Sequence, residues 1–454
     1  MKTVIVGAGI SGLATAQAIR SRDPQAEVLV LESSDRAGGK VHSERVPEGY
    51  LCEWGVNAFL DKSPRTLELC REVDLAPVSA DTAAKKRYVY SEGELHKLPE
   101  KPPEFFGSNL LSLPARFRVI GEVFSGRADK ADETLEEFGV RHLGREAFEK
   151  LIDPMASGVF AGDARQMSLK SCFPRIHEVE TEYGSLIRGL IKLQRAARKA
   201  GKKETPGPGP GGLLTSFTGG MSELTDTLAG QLGADLRLEA RVESVSESGG
   251  RYSVHLHGGS TEECDSLVLA IPAYAQAEIL RELAPGISQL TGRIEYPAVA
   301  VVCMGFDKAR VGDCLDGFGF LVPSRERRDI LGTVVDSNVF PNRAPEGCVL
   351  LRTLVGGARS SGLAELPEEE LTDRVRSDLK DILGIDRDPD FAMTYRHRRA
   401  IPQYLVGHAA TLEAIEQELR ALPGLFLTGN AYRGVSLNDC VLNAEKTAQA
   451  VLGG

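Results

Sequence analysis

The chain opens on an apolar run that stops abruptly. Val4-Ile5-Val6 is short, β-branched and uninterrupted, which predicts a strand buried on both faces. Glycines follow at 7, 9 and 12, and Ile10, Leu13, Ala14, Ala16 and Ile19 then recur at helical spacing among small residues. This pattern predicts a helix packed tightly on that strand. A second apolar run, Val28-Leu29-Val30-Leu31, ends at Glu32. Further on, 66–75 reads as a short amphipathic helix and 86–98 as a hairpin turning at Glu92-Gly93. From about 103 to 200 the period is mostly helical. Residues 201–212, GKKETPGPGPGG, carry too much Gly and Pro for regular structure. The strand-rich pattern then resumes. It predicts a helix over 219–232, antiparallel strands around a Ser-Gly-Gly turn over 234–258, a buried strand over 266–273, and strands at 298–306 and 347–357. The chain closes on a buried strand, a glycine turn and a helix. The fold class is therefore α/β, with one fold assembled from the start, middle and end of the chain and the rest inserted.

The turn after the first strand carries chemistry. Gly7 permits the tight exit, Gly9 lets a pyrophosphate approach the backbone, and Gly12 lets the helix pack closely. The helix N-terminus offers N–H donors and partial positive charge to phosphates. Glu32, 20 residues after Gly12, is placed to accept ribose hydroxyls. A 2′-phosphate would meet like charge there, so NADP is disfavoured. The motif alone does not choose between NAD and FAD. The residues after Glu32 do more: Arg36, then Gly38-Gly39 for a second close approach, then Lys40 to neutralise phosphate. A second glycine turn at that point looks like the FAD-dependent amine-oxidase-type flavoproteins.

Composition narrows the class. The chain has 454 residues, enough for about three domains, or two large ones. Its net charge of −10 and its lack of a long basic run exclude nucleic acid as a partner. None of the eight cysteines forms CxxC, and none clusters with histidine at zinc spacing, so no metal site is expected. Scattered single cysteines suit a reducing cytosol. There is no signal-peptide pattern, and no apolar run reaches the ~18 residues of a spanning helix. There is also no Ser-His-Asp order and no paired carboxylates, so hydrolysis is not indicated and no catalytic side chain is named.

Several stretches now converge. GAGISGLATA, LESSDRAGGK, the KRYVY of 86–90, ASGVFAGD, FTGGM, GFGFLVPS, LGTVVDSNVFPNRAP, VGGAR, IPQYLVGH and LTGNAYRGVSLNDCV occur in order along nearly the whole chain. In this the sequence resembles the oxygen-dependent protoporphyrinogen oxidase family of haem biosynthesis. The resemblance implies a discontinuous Rossmann-like FAD-binding domain (1–75, 212–272 and 420–454), a mixed-sheet substrate domain (76–92, 184–211 and 273–419) and an α-helical insert (93–183). It implies non-covalent FAD, a porphyrinogen substrate and oxygen as electron acceptor.

By family position, Gly7, Ala8, Gly9, Ile10, Ser11, Gly12, Glu32, Ser33 and Lys40 meet the cofactor's nucleotide half. Gly55, Val56, Asn57 and Ala58 form the loop against the flavin, although the family usually has Gly-Pro where this chain has Gly55-Val56. Val242 meets the adenine through its backbone, and Asn430, Val435, Ser436 and Leu437 form the C-terminal turn near the flavin. Arg87 is expected to pair with a substrate propionate, and Leu331 and Leu354 to sandwich the macrocycle. Cys440 lies near the flavin turn, but NDCVLN is not a covalent-attachment pattern. His397 and His408 flank IPQY and default to hydrogen-bonded or surface roles.

In the family the helical domain docks on membranes. Here it carries Leu110, Leu111, Leu113, Phe117, Ile120, Val123 and Phe124, with Arg116 and Arg118. The expected location is cytoplasmic, with room for peripheral contact at the inner face of the cell membrane and for a homodimer. The nearest rival activity is coproporphyrinogen III oxidation, which extra basic residues at the site would favour. Amine oxidases and carotenoid desaturases of the same superfamily lack GFGFLVPS and IPQYLVGH. A non-catalytic flavin-binding protein is the rival from another class.

Overall fold

The computed structural model describes residues 1–99, 102–128, 130–199, 212–312 and 316–453. The Gly/Pro-rich stretch lies outside the described residues except for its last position, Gly212. In chain order the elements that build the two main sheets begin with β1 (Lys2–Val6), α1 (Ile10–Arg22), β2 (Glu27–Leu31), β3 (Arg87–Ser91) and β4 (Glu94–Lys97). After a helical region come β5 (Leu236–Arg237), β6 (Ser266–Leu269), β7 (Val299–Asp307), β8 (Gly319–Leu321), β9 (Ile330–Val335) and β10 (Cys348–Gly356). The chain ends with β11 (Phe391–His397), β12 (Leu425–Leu427) and α2 (Leu437–Gly453).

The first sheet is parallel, in the order β5-β2-β1-β6-β12. Its strands come from the start, middle and end of the chain. Val4, Ile5, Val30, Leu31 and Leu267 through Leu269 are buried, as the uninterrupted apolar runs require. On one face lie α1 and α2, whose Leu13, Ala14, Ala18, Cys440, Ala444 and Ala448 share a core with Ile5, Val30 and Val268. Small residues let the two helices and the sheet approach closely. The tightest point is Gly12, where an added Cβ would stand 1.9 Å from the carbonyl oxygen of Gly7. Gly7 itself has φ of 103°, which a residue with a side chain rarely adopts.

The second sheet has seven strands, in the order β11-β7-β10-β9-β8-β3-β4. All pairs are antiparallel except β3 with β8. Its long strands alternate between two buried faces. On one face Ala300, Val302, Met304, Leu351 and Val355 pack against Leu371, Val375 and Leu379 of the helix Glu368–Leu383. On the other, Val301, Cys303 and Leu350 pack against Tyr50, Cys52 and Tyr395. That second face turns toward the segment after the glycine turns.

Between β4 and β5 the chain is largely helical, as its period predicts. Phe138, Phe148, Ile152, Phe160 and Met167 form its own core, into which Tyr404 reaches from outside. Asp153 ties this region to the second sheet's surroundings through Arg359 at 2.6 Å and the Ser324 N–H at 2.8 Å.

Two expectations need correction. Antiparallel alternation was expected over 234–258, but only Val242–Ser248 and Arg251–Leu256 follow it. Leu236 and Arg237 instead run parallel to Val30 and Leu31, because the exposed edge of β2 offers an unpaired ladder. The apolar run of the helical region also splits. Leu110 and Leu111 are buried, whereas Leu113, Phe117, Ile120 and Phe124 are exposed.

The glycine spacing generates a prediction. Gly12→Ala is expected to lose about 2 kcal/mol of stability or more, because both the helix and the turn must shift. Gly9→Ala, whose Cβ would meet nothing within 4 Å, is expected to stay within about 1 kcal/mol of wild type. Urea unfolding of the two variants checks the contrast, and equal losses would refute it.

Candidate functional site

A cavity of about 660 Å³ runs from the carboxyl ends of β1 and β2 to the N-terminus of α2. Crevices at strand carboxyl ends are where open α/β sheets bind ligands. Of the expected cofactor residues, Gly7, Gly9, Ile10, Ser11, Glu32, Ser33, Lys40, Val56, Val242, Asn430, Val435 and Leu437 line it. Residues more than 400 positions apart in sequence meet there because α2 packs beside α1.

Its nucleotide end is built from two glycine turns tied together. The Gly38 N–H donates to the Ala8 carbonyl at 2.8 Å, and Gly9 and Gly38 form a bridge. Arg36 braces the second turn by donating to the carbonyls of Ala37 and Gly39 at 3.1 and 2.8 Å. Gly9 caps α1 without a side-chain hydrogen bond, and the helix's first turn carries no acidic residue. Its leading N–H groups therefore face the cavity without a side-chain cap or local negative charge. This fits a phosphate, and the open space beside Gly9 fits its close approach.

Glu32 sits just past β2. Its Oε2 accepts the Ala8 N–H at 2.9 Å, and its Oε1 accepts the Ser34 N–H and hydroxyl at 2.9 and 2.7 Å and the Ser33 hydroxyl at 3.2 Å. The carboxylate thus holds the turn from beneath while facing the cavity. Oε1 is already fully engaged by these donors, while Oε2 retains accepting capacity for a further hydroxyl.

The remaining expected cofactor residues stand behind the lining. Ala8 joins Glu32 to Gly38, and Gly12 lies at the α1–β1 contact. Gly55 accepts a bond from Arg352 at 3.3 Å, and the buried Asn57 Nδ2 has no partner. Ala58 packs toward Val339 and Phe340. Ser436 donates its hydroxyl to Asp439 at 2.6 Å.

Lys40 occupies the far end of the cavity. Its ammonium donates to the carbonyl of Ala400 and lies 5.2 Å from the centre of the Tyr296 ring. Burial pulls its pKa down to about 8. Ala400 belongs to an apolar cluster with Ala161, Val299 and Leu331, against which Leu354 and Ile401 pack. The structure therefore brings both expected substrate leucines together, next to the residue that Lys40 touches. Leu331 reaches them through a register shift between Ile330 and Gly332, which re-aims it.

Arg87 is exposed, with its guanidinium 5.4 Å from the Phe318 ring centre. It pairs with Gly319, Gly319 with Val334, and Val334 with Arg352, while Leu354 lies two residues further along β10. Arg87 and Leu354 thus share one face of the sheet, three inter-strand spacings or roughly 15 Å apart.

Other expectations resolve locally. Cys440 lines the cavity, and burial pushes its thiol up to about 11, which leaves it protonated rather than nucleophilic. His397 donates Nε2–H to the Trp54 carbonyl at 2.9 Å, and burial lowers its pKa. His408 stacks on Tyr404. Trp54 is half-buried against Tyr395. Among the described residues no group of side chains is placed to hold a metal.

Sequence reasoning missed part of the lining. Arg241, Tyr274 and Glu278 border the cavity, as do Ala270 through Pro272 at the end of β6. The signal was available: SLVLAIPA reads as a buried strand, and its carboxyl end had to open onto the same crevice. Arg399, exposed at the rim, stacks 4.4 Å from the Tyr274 ring centre.

A two-glycine-turn nucleotide cleft beside an apolar cluster on a mixed sheet is the architecture of a flavin-dependent oxidoreductase. A family model described as flavin containing amine oxidoreductase matches residues 10–452, and the chain belongs to that family. It is similar to the chloroplastic protoporphyrinogen oxidase of Oryza sativa subsp. japonica, at 35% identity over 99% of this chain and 87% of the relative. It is similar to the human protoporphyrinogen oxidase at 32% identity over 99% and 98%. It also resembles the coproporphyrinogen III oxidase of Bacillus subtilis at 30% identity over 96% and 95%. A crystal structure from Exiguobacterium sp. 255-15 matches with a TM-score of 0.85 at 28% identity, covering 100% of this chain and 99% of that one. The cofactor of this chain is FAD.

Behind the cavity, Glu53 is fully buried and accepts from Ser43 Oγ at 2.6 Å, the Met221 N–H at 3.0 Å and Arg343 at 3.2 Å. Burial raises its pKa to about 7, and the Arg343 charge offsets this only in part. A carboxyl raised in the folded state stabilises below its unfolded pKa, and that stability is lost as pH rises through about 7. Stability is therefore expected to fall between pH 5 and 8, by at most about 3 kcal/mol from this group. Glu53→Gln should flatten that slope in urea unfolding at the two pH values, and an unchanged slope would assign it to another group.

Proposed function

We propose that this chain oxidises protoporphyrinogen IX to protoporphyrin IX, with oxygen as the final acceptor. The observation that carries the reading is the arrangement around the cavity: an apolar cluster with Leu331 and Leu354, linked to the cavity through Lys40 and Ala400 and sharing its sheet face with an exposed arginine. Full-length similarity to oxidases named for this substrate supports it.

FAD, when bound, supplies the hydride acceptor and passes the electrons to oxygen. The glycine turns and the α1 N-terminus hold its pyrophosphate, Glu32 its ribose, and Val242 its adenine. Val56 of the 55–58 loop, with Asn430, Val435 and Leu437, would stand against its ring, backed by Gly55, Asn57, Ala58 and Ser436. The binding is non-covalent, consistent with a buried, protonated Cys440.

The chain's remaining work is placement. A bridging methylene of a porphyrinogen gives up hydride readily, because the adjacent pyrrole stabilises the cation. No side chain has to act as acid or base at that carbon. Leu331 and Leu354 exclude water and orient the macrocycle, and the fork of Arg87 holds a propionate from the solvent side. Exposed Arg399, stacked on the cavity-lining Tyr274, favours a second reading, coproporphyrinogen III, which carries more carboxylates.

The helical region supports peripheral contact with an anionic membrane surface. Leu113, Phe117 and Phe124 are 64%, 71% and 89% exposed, beside Arg116, Arg118 and Arg127. Such a contiguous apolar face with a basic rim suits a lipid interface. Phe117→Asp with Phe124→Asp is expected to abolish co-sedimentation with anionic vesicles while leaving turnover in solution intact. Unchanged sedimentation would remove this surface from consideration.

The direct test is porphyrin fluorescence after aerobic mixing with freshly reduced protoporphyrinogen IX or coproporphyrinogen III. Faster protoporphyrin formation supports the main reading, and a preference for coproporphyrinogen supports the second. Silence toward both, with flavin bound and spontaneous oxidation subtracted, overturns them together. Glu32→Ala should purify without yellow colour. Arg87→Ala should raise KM at least several-fold with flavin content unchanged, and an unaltered KM would dismiss its role.

A further inference from the structure

We propose that Arg352 is a positioning residue for the flavin, setting the loop of residues 55–58 by holding the carbonyl of Gly55. The inference rests on reading the cavity as the FAD site. Arg352 lies on β10, two residues before Leu354 and on the same face of the sheet. Only 3% of it is exposed. Its Nε donates to Asp336 Oδ2 at 2.8 Å, and its Nη1 donates to the Gly55 carbonyl at 3.3 Å. One side chain therefore ties the strand that carries a macrocycle contact to the loop that faces the flavin.

The loop is held at its two ends, by His397 on the Trp54 carbonyl and by the packing of Ala58 on Val339 and Phe340, so Arg352 supplies the side-chain hydrogen bond to the Gly55 carbonyl between them. Gly55 sits close to Lys40, where an added Cβ would be 3.2 Å from the Lys40 carbonyl oxygen. Val56 next to it lines the cavity, and the buried Asn57 Nδ2 is unpartnered. Glycine at 55 leaves the backbone free to drift, so a directional bond to its carbonyl has a defined job. The guanidinium fork suits this, because one nitrogen engages the carboxylate while another reaches the loop.

The pair is not tuned for stability. Asp336 Oδ1 is buried without a hydrogen-bond partner, and Asp336 is 2% exposed. Buried ion pairs can often be replaced by apolar residues of similar size without loss of stability. An apolar pair has no donor for Gly55, however. Hydride transfer needs the reacting atoms within about 3.5 Å, so a shift of the loop relative to Leu354 acts on the chemical step.

The test compares Arg352→Met/Asp336→Leu and Asp336→Asn with wild type. It reads the unfolding midpoint, the Kd of FAD rebinding to apoprotein, the visible circular dichroism of bound flavin, and kcat against KM. The double variant should unfold like wild type, bind FAD at least tenfold more weakly, show an altered flavin dichroism band, and lose kcat more than KM. Asp336→Asn keeps the donor to Gly55 and should bind FAD within twofold of wild type. A folded double variant with wild-type FAD affinity and dichroism overturns the proposal. If the double variant does not fold, Arg352→Lys decides: it keeps the charge but cannot span both partners, and wild-type FAD affinity in it also overturns the proposal. A wild-type protein that binds no FAD would instead refute the cavity reading on which the inference stands.

Discussion

The contact between α1 and β1 is the constraint on which the site depends. With 1.9 Å between a hypothetical Gly12 Cβ and the Gly7 oxygen, the helix rests directly on the strand's exit turn. That closeness points the helix N-terminus into the crevice and brings Gly38 within reach of Ala8. It also leaves room for α2, which carries the C-terminal side of the cavity. A bulkier residue at 12 would push α1 outward and open every wall of the nucleotide end together.

The second sheet organises the other half. Its two faces have different duties. The face under the helix Glu368–Leu383 is ordinary core, built from aliphatic residues at alternate positions. The opposite face carries Arg87, Val334, Arg352, Leu354 and Val301 in neighbouring register positions. A single register irregularity at Leu331 adds a leucine to that face where strict alternation would have hidden it. The glycine turns and the apolar cluster of Leu331 and Leu354 then meet where Lys40 touches Ala400.

Charges buried behind the cavity follow one logic. Glu53, Asp336, Arg343 and Arg352 are nearly inaccessible to solvent, and they pair as Glu53 with Arg343, 290 positions apart, and Asp336 with Arg352, 16 apart. Desolvation works against the charges of Glu53, Arg343 and Arg352, and it moves the Glu53 carboxyl toward neutrality. Such groups are costly, and in this chain they sit against the segment that carries Gly55. Apolar packing supplies the stability, and the polar contacts set geometry.

Much of this was legible in the amino-acid order. The first turn, Glu32 and the second glycine pair are local features whose chemistry depends on neighbours a few residues away. The helical period of the insert and the apolar runs of the parallel sheet are equally local. Arg87 and Leu331 were reached only through family motifs, since an exposed arginine and a strand leucine carry no distinguishing pattern of their own. Tyr274 and Glu278 follow the buried strand SLVLAIPA and Arg241 precedes Val242, so their neighbourhood was marked, but which of these side chains turn into the crevice is set by the tertiary packing. The parallel pairing of Leu236-Arg237 escaped because a strand's partner is chosen by whichever edge is free. The sequence by itself determined what each segment can form and which ligand the N-terminal turn suits, because backbone conformation and hydrophobic period act over short range. Only the tertiary structure decided that Gly55 answers to Arg352, that Leu331 meets Leu354, and that both lie beside Lys40, because those distances are set by strand register and helix packing between residues hundreds of positions apart.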